Sequence, residues 1–274
     1  MKLFILLCVI SLNIFSQNNE YSWKSGIDNN FNIKNLIRVP IGYERINVDS
    51  NSFQFWLRHL PIKIHQRFVY LYNDELKLNQ NAQYSIIDID VGHKNLQQCA
   101  DAVIRLRAEY LYSKKKYEEL HFNFTSGDRI NYNKWAEGYR VNVNGNKVSW
   151  SKRASRDYSY EIFRSYLDVI FTYAGSYSLK QELKKVIDVK DLKIGDVFIV
   201  GGFPGHAVIV VDVAAHKSTG EKIFLLAQSY MPAQDIHILR NLENEVLSPW
   251  YRLNTKKLYT PEWTFNWSDL HRFN

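Results

Sequence analysis

The chain has 274 residues, of which 46% are apolar and 15% aromatic, and it carries a formal net charge of +7. That apolar share can bury a sizeable core and excludes a disordered chain, while the positive balance favours anionic polymers such as an acidic cell envelope. Its basic residues are dispersed, with only "SKKKY" and "SWSKRASR" clustered, and no nucleic-acid-binding motif occurs, so nucleic acid is not expected as a partner.

Lys2 is followed by "LFILLCVISLNIF", 13 residues without a charge, and then by the polar "SQNNE". The pattern predicts a secretory signal peptide over residues 1–16, too short to span a bilayer. Cys8 would leave with it, since the bulky Leu7 does not suit lipoprotein cleavage. Without Lys2 the mature chain has a charge of +6 and one cysteine, Cys99, so no internal disulfide can form. No later segment is apolar enough for a membrane span. The expected location is therefore the periplasm, the cell envelope or the medium.

Residues 17–90 read as an extended, strand-bearing elaboration, punctuated by Pro40 and Pro61 and including "FVYLYNDELKL" and "YSIIDIDVG". "NLQQCADAVIRLRAEYLYS", residues 95–113, has helical spacing: at 100° per residue Leu96, Ala100, Val103, Ile104, Ala108 and Leu111 share one arc. Asn95 is a candidate N-cap and Cys99 falls in the first turn, at the edge of the arc. Beyond this helix, "SGD" and "NGN" signal turns or hairpins, and residues 157–174 have helical spacing at Ile162, Tyr166, Val169 and Tyr173. Trp135, Tyr139 and Trp150 are a candidate aromatic face for a sugar or peptide, or core filling. "IGDVFIVGG", "HAVIVVDV", "KIFLLAQSY" and "DIHIL" predict an antiparallel meander over residues 194–239. The tryptophan-rich C-terminus should wrap the sheet as structure.

A single cysteine in an oxidising compartment is either buried or used. Unpaired N–H groups and the helix dipole at a helix start lower a thiol pKa, so Cys99 is placed for nucleophilic chemistry. Among the eight histidines, His206 stands out: it follows the turn "GGFPG" and opens a buried strand. The other seven, His59, His65, His93, His121, His216, His237 and His271, lie in ordinary polar or mixed stretches where most are expected to be solvated. If residue 213 pairs with 222, His206 faces Ser229, and a shift of one residue makes the partner Gln228. Gln228 is favoured, because its amide oxygen can accept from one ring nitrogen while the other faces the thiol.

The order of these parts resembles the papain-like fold of NlpC-type and CHAP-type cell-wall peptidases and amidases. "QQC" also resembles the CHAP-type Gln-Cys start. More closely, "FWLRHLPIK", "LQQCADAVIRLRAEYLY" and "GGFPGHAVIVVDVA" resemble an exported bacterial family known only as a domain of unknown function, over most of the mature chain. The likeness to the peptidases departs in spacing, with 107 residues from Cys99 to His206. It implies an α+β fold with a papain-like core, in which the Cys-bearing helix packs on an antiparallel sheet, plus N-terminal and internal elaborations. Residues 17–274 would form one domain.

Two functions follow as expectations. The first is an exported cysteine hydrolase, a peptidase or amidase acting on an envelope amide such as one in peptidoglycan. Cys99 would be the nucleophile, His206 the base and Gln228 its orienting residue, with the backbone N–H groups of Cys99 and Gln98 around the oxyanion. The second is a non-catalytic module binding an envelope glycan or peptide. Neither needs a cofactor: HExxH, a CxxC pair in the mature chain and a phosphate loop are all missing, and GxSxG is absent as well.

Overall fold

The computed structural model describes residues 21–26, 28, 30–253 and 256–274. The signal peptide expected over residues 1–16, with Cys8, lies outside them. Elsewhere the chain folds as α+β, organised on one antiparallel sheet. Its strands run in the order Gln83–Ile86, His237–Leu239, Lys222–Gln228, His206–His216, Val197–Val200, Leu270–Arg272 and Lys184–Lys185. Tyr43–Arg45 pairs with the far end of the His206 strand, and Tyr251–Arg252 with the start of the Lys222 strand. The meander expected over residues 194–239 is thus the middle of the sheet.

Strand 206–216 is buried from His206 to Ala214 because both of its faces are covered. Helix Cys99–Ser113 and the short helix Phe53–Arg58 pack against it. The arc formed by Ala100, Val103, Ile104, Ala108 and Leu111 is buried as the periodicity requires. The opposite face is buried too, with Asp101, Arg105 and Glu109 under cover, so this is a central helix. Arg105 makes that tolerable: Nε donates to Glu109 Oε1 at 2.6 Å and Nη1 to Gln97 Oε1 at 2.8 Å, so the charge is paired in the core.

The register of the two central strands differs from the expected one. Ala214, Ala215 and His216 continue the strand instead of entering the turn, and Lys222 pairs with Ala215. Only residues 217–221 turn, helped by Gly220 at φ +73°. A bulge then intervenes: Leu225 pairs with Asp212 but Leu226 with Val210, which leaves Val211 as the extra residue.

Asp212 also ties the N-terminal elaboration to the sheet. Its fully buried carboxylate accepts from Arg45 Nε and Arg58 Nε, each at 2.6 Å. Arg58 further reaches the carbonyls of Ile46 and Val213, and Arg45 that of Ile37.

The segment after the Cys99 helix holds two hairpins, His121–Asn123 with Arg129–Asn131 and Tyr139–Asn144 with Lys147–Lys152. The second long helix is Tyr160–Tyr173, capped by Ser159, and it buries Phe163, Tyr166, Leu167, Ile170 and Phe171. Of the four positions expected inside, only Tyr166 belongs to that stripe; aromatic Phe163 and Phe171 turn the helix by roughly one residue. Towards the C-terminus a small hairpin, Leu258–Tyr259 with Thr264–Phe265, precedes the strand Leu270–Arg272, which lies between Val197–Val200 and the edge strand Lys184–Lys185. Among the described residues no helix is long and apolar enough to cross a membrane.

Candidate active site

The helix begins at Cys99, and its N-cap is Gln98 rather than Asn95. Asp101 selects that start: its Oδ2 accepts the Gln98 N–H at 3.0 Å, the reciprocal half of a capping box. Asn95 instead uses Oδ1 to receive the Ala233 N–H at 2.8 Å, which fastens the loop before the helix to the connection between the Lys222–Gln228 and His237–Leu239 strands. Ser229 Oγ adds a second tie, reaching the carbonyls of Gln97 at 3.0 Å and Gln234 at 2.9 Å. The sulfur is thereby carried to the end of the sheet where the His206 strand starts and the Gln228 strand stops.

Backbone groups of Ala100, Ala207 and Cys99 itself form hydrogen bonds that favour the thiolate. Ala207 is the residue after His206, so thiol and imidazole share one small neighbourhood. These groups do not win. Burial, with the Asp101 carboxylate adding to it, pushes the thiol up to about 11. The lowering expected from the helix start is therefore corrected: Cys99 is only 9% exposed, and desolvation outweighs the dipole.

His206 is 1% exposed. Its ring lies 5.0 Å from Tyr230, 5.3 Å from Trp263 and 5.9 Å from Phe265, centroid to centroid. Burial pushes it down to about 4, against its bond to Gln228 and helped by the Lys77 charge, so the imidazole is neutral at pH 7. Nε2 meets Gln228 Oε1 at 2.9 Å. The register explains how. Continued past the Ala227–Ile209 pair, it sets Gln228 opposite Val208 and His206 opposite Tyr230. Gln228 and His206 are thus diagonal neighbours on one face, within reach of a long amide. Ser229 points the other way, into the ties just described.

Gly205 fixes the entry to the strand. A Cβ there would lie 2.3 Å from Ser176 Oγ, 2.5 Å from the Gly202 oxygen and 2.8 Å from the Val200 oxygen. No side chain fits in that turn.

Behind Gln228 stand three residues that sequence reasoning passed over. The amide nitrogen donates to Glu262 Oε2 at 2.6 Å and approaches His237 Nε2 at 3.4 Å. Lys77, itself buried, pairs with the same Glu262 oxygen at 2.7 Å. His237 is wholly buried and His271 nearly so, two exceptions to the solvation expected of most of these rings. Lys77, Tyr230, His237, Glu262 and Trp263 come from separate parts of the chain, so no local spacing marks them as a group. Trp263, expected to be merely structural, packs on the imidazole.

The remaining predicted residues fall elsewhere or serve differently. The Gln98 N–H is committed to Asp101, leaving the Gln98 side-chain amide, 3.2 Å from Asn95 Oδ1, as its only other donor. Trp135 is buried, donates to Ser165 Oγ and lies under Arg140. Tyr139 and Trp150 stand on the second hairpin, with Lys134 at 5.5 Å and 4.7 Å from their ring centres. Among the described residues no group of three or more His, Cys, Asp and Glu could hold a metal ion.

The molecule is thus α+β, with a helix-start cysteine whose sulfur meets the backbone of Ala207, the residue after a sheet histidine held by a glutamine. Residues 33–272 match the family described as "Domain of unknown function (4846)", and the chain belongs to that family. No curated protein and no solved structure matched.

Proposed function

We propose that the protein is a cysteine hydrolase, a peptidase or amidase of papain-like design, exported to act on an amide bond of the cell envelope. The observation that carries this reading is the His206 Nε2–Gln228 Oε1 bond of 2.9 Å. It makes Nε2 the donor and leaves Nδ1 as a lone pair on the strand whose next N–H faces the Cys99 sulfur. In the proposed reaction the sulfur attacks the carbonyl carbon while the thiol proton passes to His206 Nδ1. That proton then goes to the departing nitrogen as the C–N bond breaks, giving a thioester and a free amine. Water, deprotonated by the same nitrogen, cleaves the thioester to a carboxylic acid and restores the thiol. The Cys99 N–H, turned from the sulfur to the oxyanion as the C–S bond forms, is the foremost donor, joined by the Gln98 side chain.

With the thiol near 11 and the imidazole near 4, the resting pair is neutral. The reaction therefore runs by general base catalysis at the moment of attack and not from a preformed thiolate. Phe203 and Met231, 97% and 54% exposed, flank the two strand ends and favour an apolar group beside the scissile bond. The same burial favours a second reading, a non-catalytic envelope-binding module with an inert Cys99.

Isolated envelope material and its stem peptides, incubated with the protein, separate the two by release of new amines. Release by the wild type, absent in Cys99→Ala and His206→Ala, is expected of the hydrolase. Binding without release is expected of the module. Export predicts a mature N-terminus near Gln17 by intact mass, and a retained leader in the exported protein would contradict it.

A further inference from the structure

A neutral imidazole serves as the base only in the tautomer that leaves Nδ1 unprotonated, and a glutamine alone cannot impose it, because an amide presents a donor or an acceptor according to which way it is turned. The groups behind Gln228 remove that freedom. His237 Nδ1 lies 2.9 Å from the Asp235 carbonyl, which can only accept, so Nδ1 of His237 carries the proton and its Nε2 is a lone pair. Burial pushes His237 down to about 3, which keeps the ring neutral. Glu262, ion-paired with Lys77 at 2.7 Å, is likewise an acceptor towards Gln228. Only the amide nitrogen can face two acceptors, and it does so at 2.6 Å and 3.4 Å.

We infer that Glu262 and His237 are positioning residues: by taking both hydrogens of the Gln228 amide they turn its oxygen onto His206 Nε2, which must then carry the proton and leave Nδ1 bare for Cys99. The chain of constraint runs from the Asp235 carbonyl through His237 and Gln228 to His206, with Glu262 as the stronger lock and Lys77 holding Glu262 in place. Its meaning for catalysis rests on the hydrolase reading; the tautomer itself does not. Turned the other way, the Gln228 nitrogen would donate to His206 Nε2 and drive the proton to Nδ1, where it blocks the transfer from the thiol.

The test is the two-bond 1H–15N correlation spectrum of the 15N-labelled, substrate-free protein, with His206 assigned by its disappearance in His206→Asn. The wild type should show His206 protonated at Nε2 alone. In Glu262→Gln an amide faces an amide, both orientations become available, and a mixture of the two tautomers should appear. The double variant Lys77→Met, Glu262→Gln leaves no buried cation without its partner and should give the same mixture. A wild-type ring protonated at Nδ1 overturns the inference, and this measurement does not depend on any variant folding. A pure Nε2–H ring persisting in both variants overturns it equally. If the hydrolase reading also holds, Glu262→Gln lowers kcat roughly 10- to 100-fold, the range for outer hydrogen-bond partners, with KM little changed. Tautomers that shift as expected in a protein that releases no amine would sink the hydrolase and leave the positioning roles standing.

Discussion

Cys99 combines two opposing influences, and their magnitudes decide its resting state. Three backbone hydrogen bonds favour the thiolate, yet burial and Asp101 hold the thiol up to about 11. Iodoacetamide should therefore alkylate the folded protein slowly at pH 7 and faster with each step towards pH 11, with no plateau near neutrality. A plateau below pH 8 would show that the thiolate forms more readily than burial allows. Stability carries the same signature. An unfolded thiol ionises near 9, so between about 9 and 11 the folded state holds a proton that the unfolded state has lost, and stability must fall as pH rises. Cys99→Ala should abolish that component of the alkaline decline while costing only about 1 kcal/mol at pH 7. Urea unfolding of both proteins at pH 7 and pH 10 measures it, and an identical alkaline decline in the two would contradict the assignment.

At the level of elements, the site depends on where a helix starts and where two strands meet. Much of this was legible: the helical period of residues 96–111, the turn "GGFPG" and the β-rich runs placed Cys99 and His206 at element ends. Gln228 was legible as one of two neighbours, but its route to His206 was not. It needs the bulge at Val211 and the strand's continuation through His216, neither of which leaves a mark in apolar spacing. Asp101 as the capping partner of Gln98 was hidden for a related reason, since an acid in a first turn reads equally as a solvated residue. Gly205 is where the turn and the site meet. Gly205→Ala would press a methyl group against two carbonyl oxygens, 2.5 Å and 2.8 Å away. The turn must open, displacing His206 and costing roughly 1–3 kcal/mol, the range for overpacked sites. Amine release should be lost with the change in melting temperature; an unaltered melting temperature and rate would contradict the packing.

Across the whole molecule, the described residues before the Cys99 helix and those of the C-terminus pack onto the sheet, and this was the least legible part. Asp212 looks like one more residue in an apolar strand, but it binds Arg45 and Arg58, 167 and 154 residues away in sequence. Lys77 and Glu262 meet across 185 residues. Pairings this distant follow from the fold and leave no local pattern. Asp212→Ala would strand two arginines at a buried position and should destabilise the protein by about 3–5 kcal/mol. Asp212→Ala together with Arg58→Met should recover part of that loss in urea titrations, and full additivity would contradict the pairing.

The central claim, that Cys99 forms a covalent intermediate with an envelope amide, is tested most directly by acid quench and intact mass. Wild-type protein, mixed with envelope stem peptides and quenched in the first turnovers, should gain the mass of the acyl half on the peptide containing Cys99, and Cys99→Ala should gain nothing. Amine release that proceeds in Cys99→Ala at the wild-type rate, with no adduct on either protein, would contradict it.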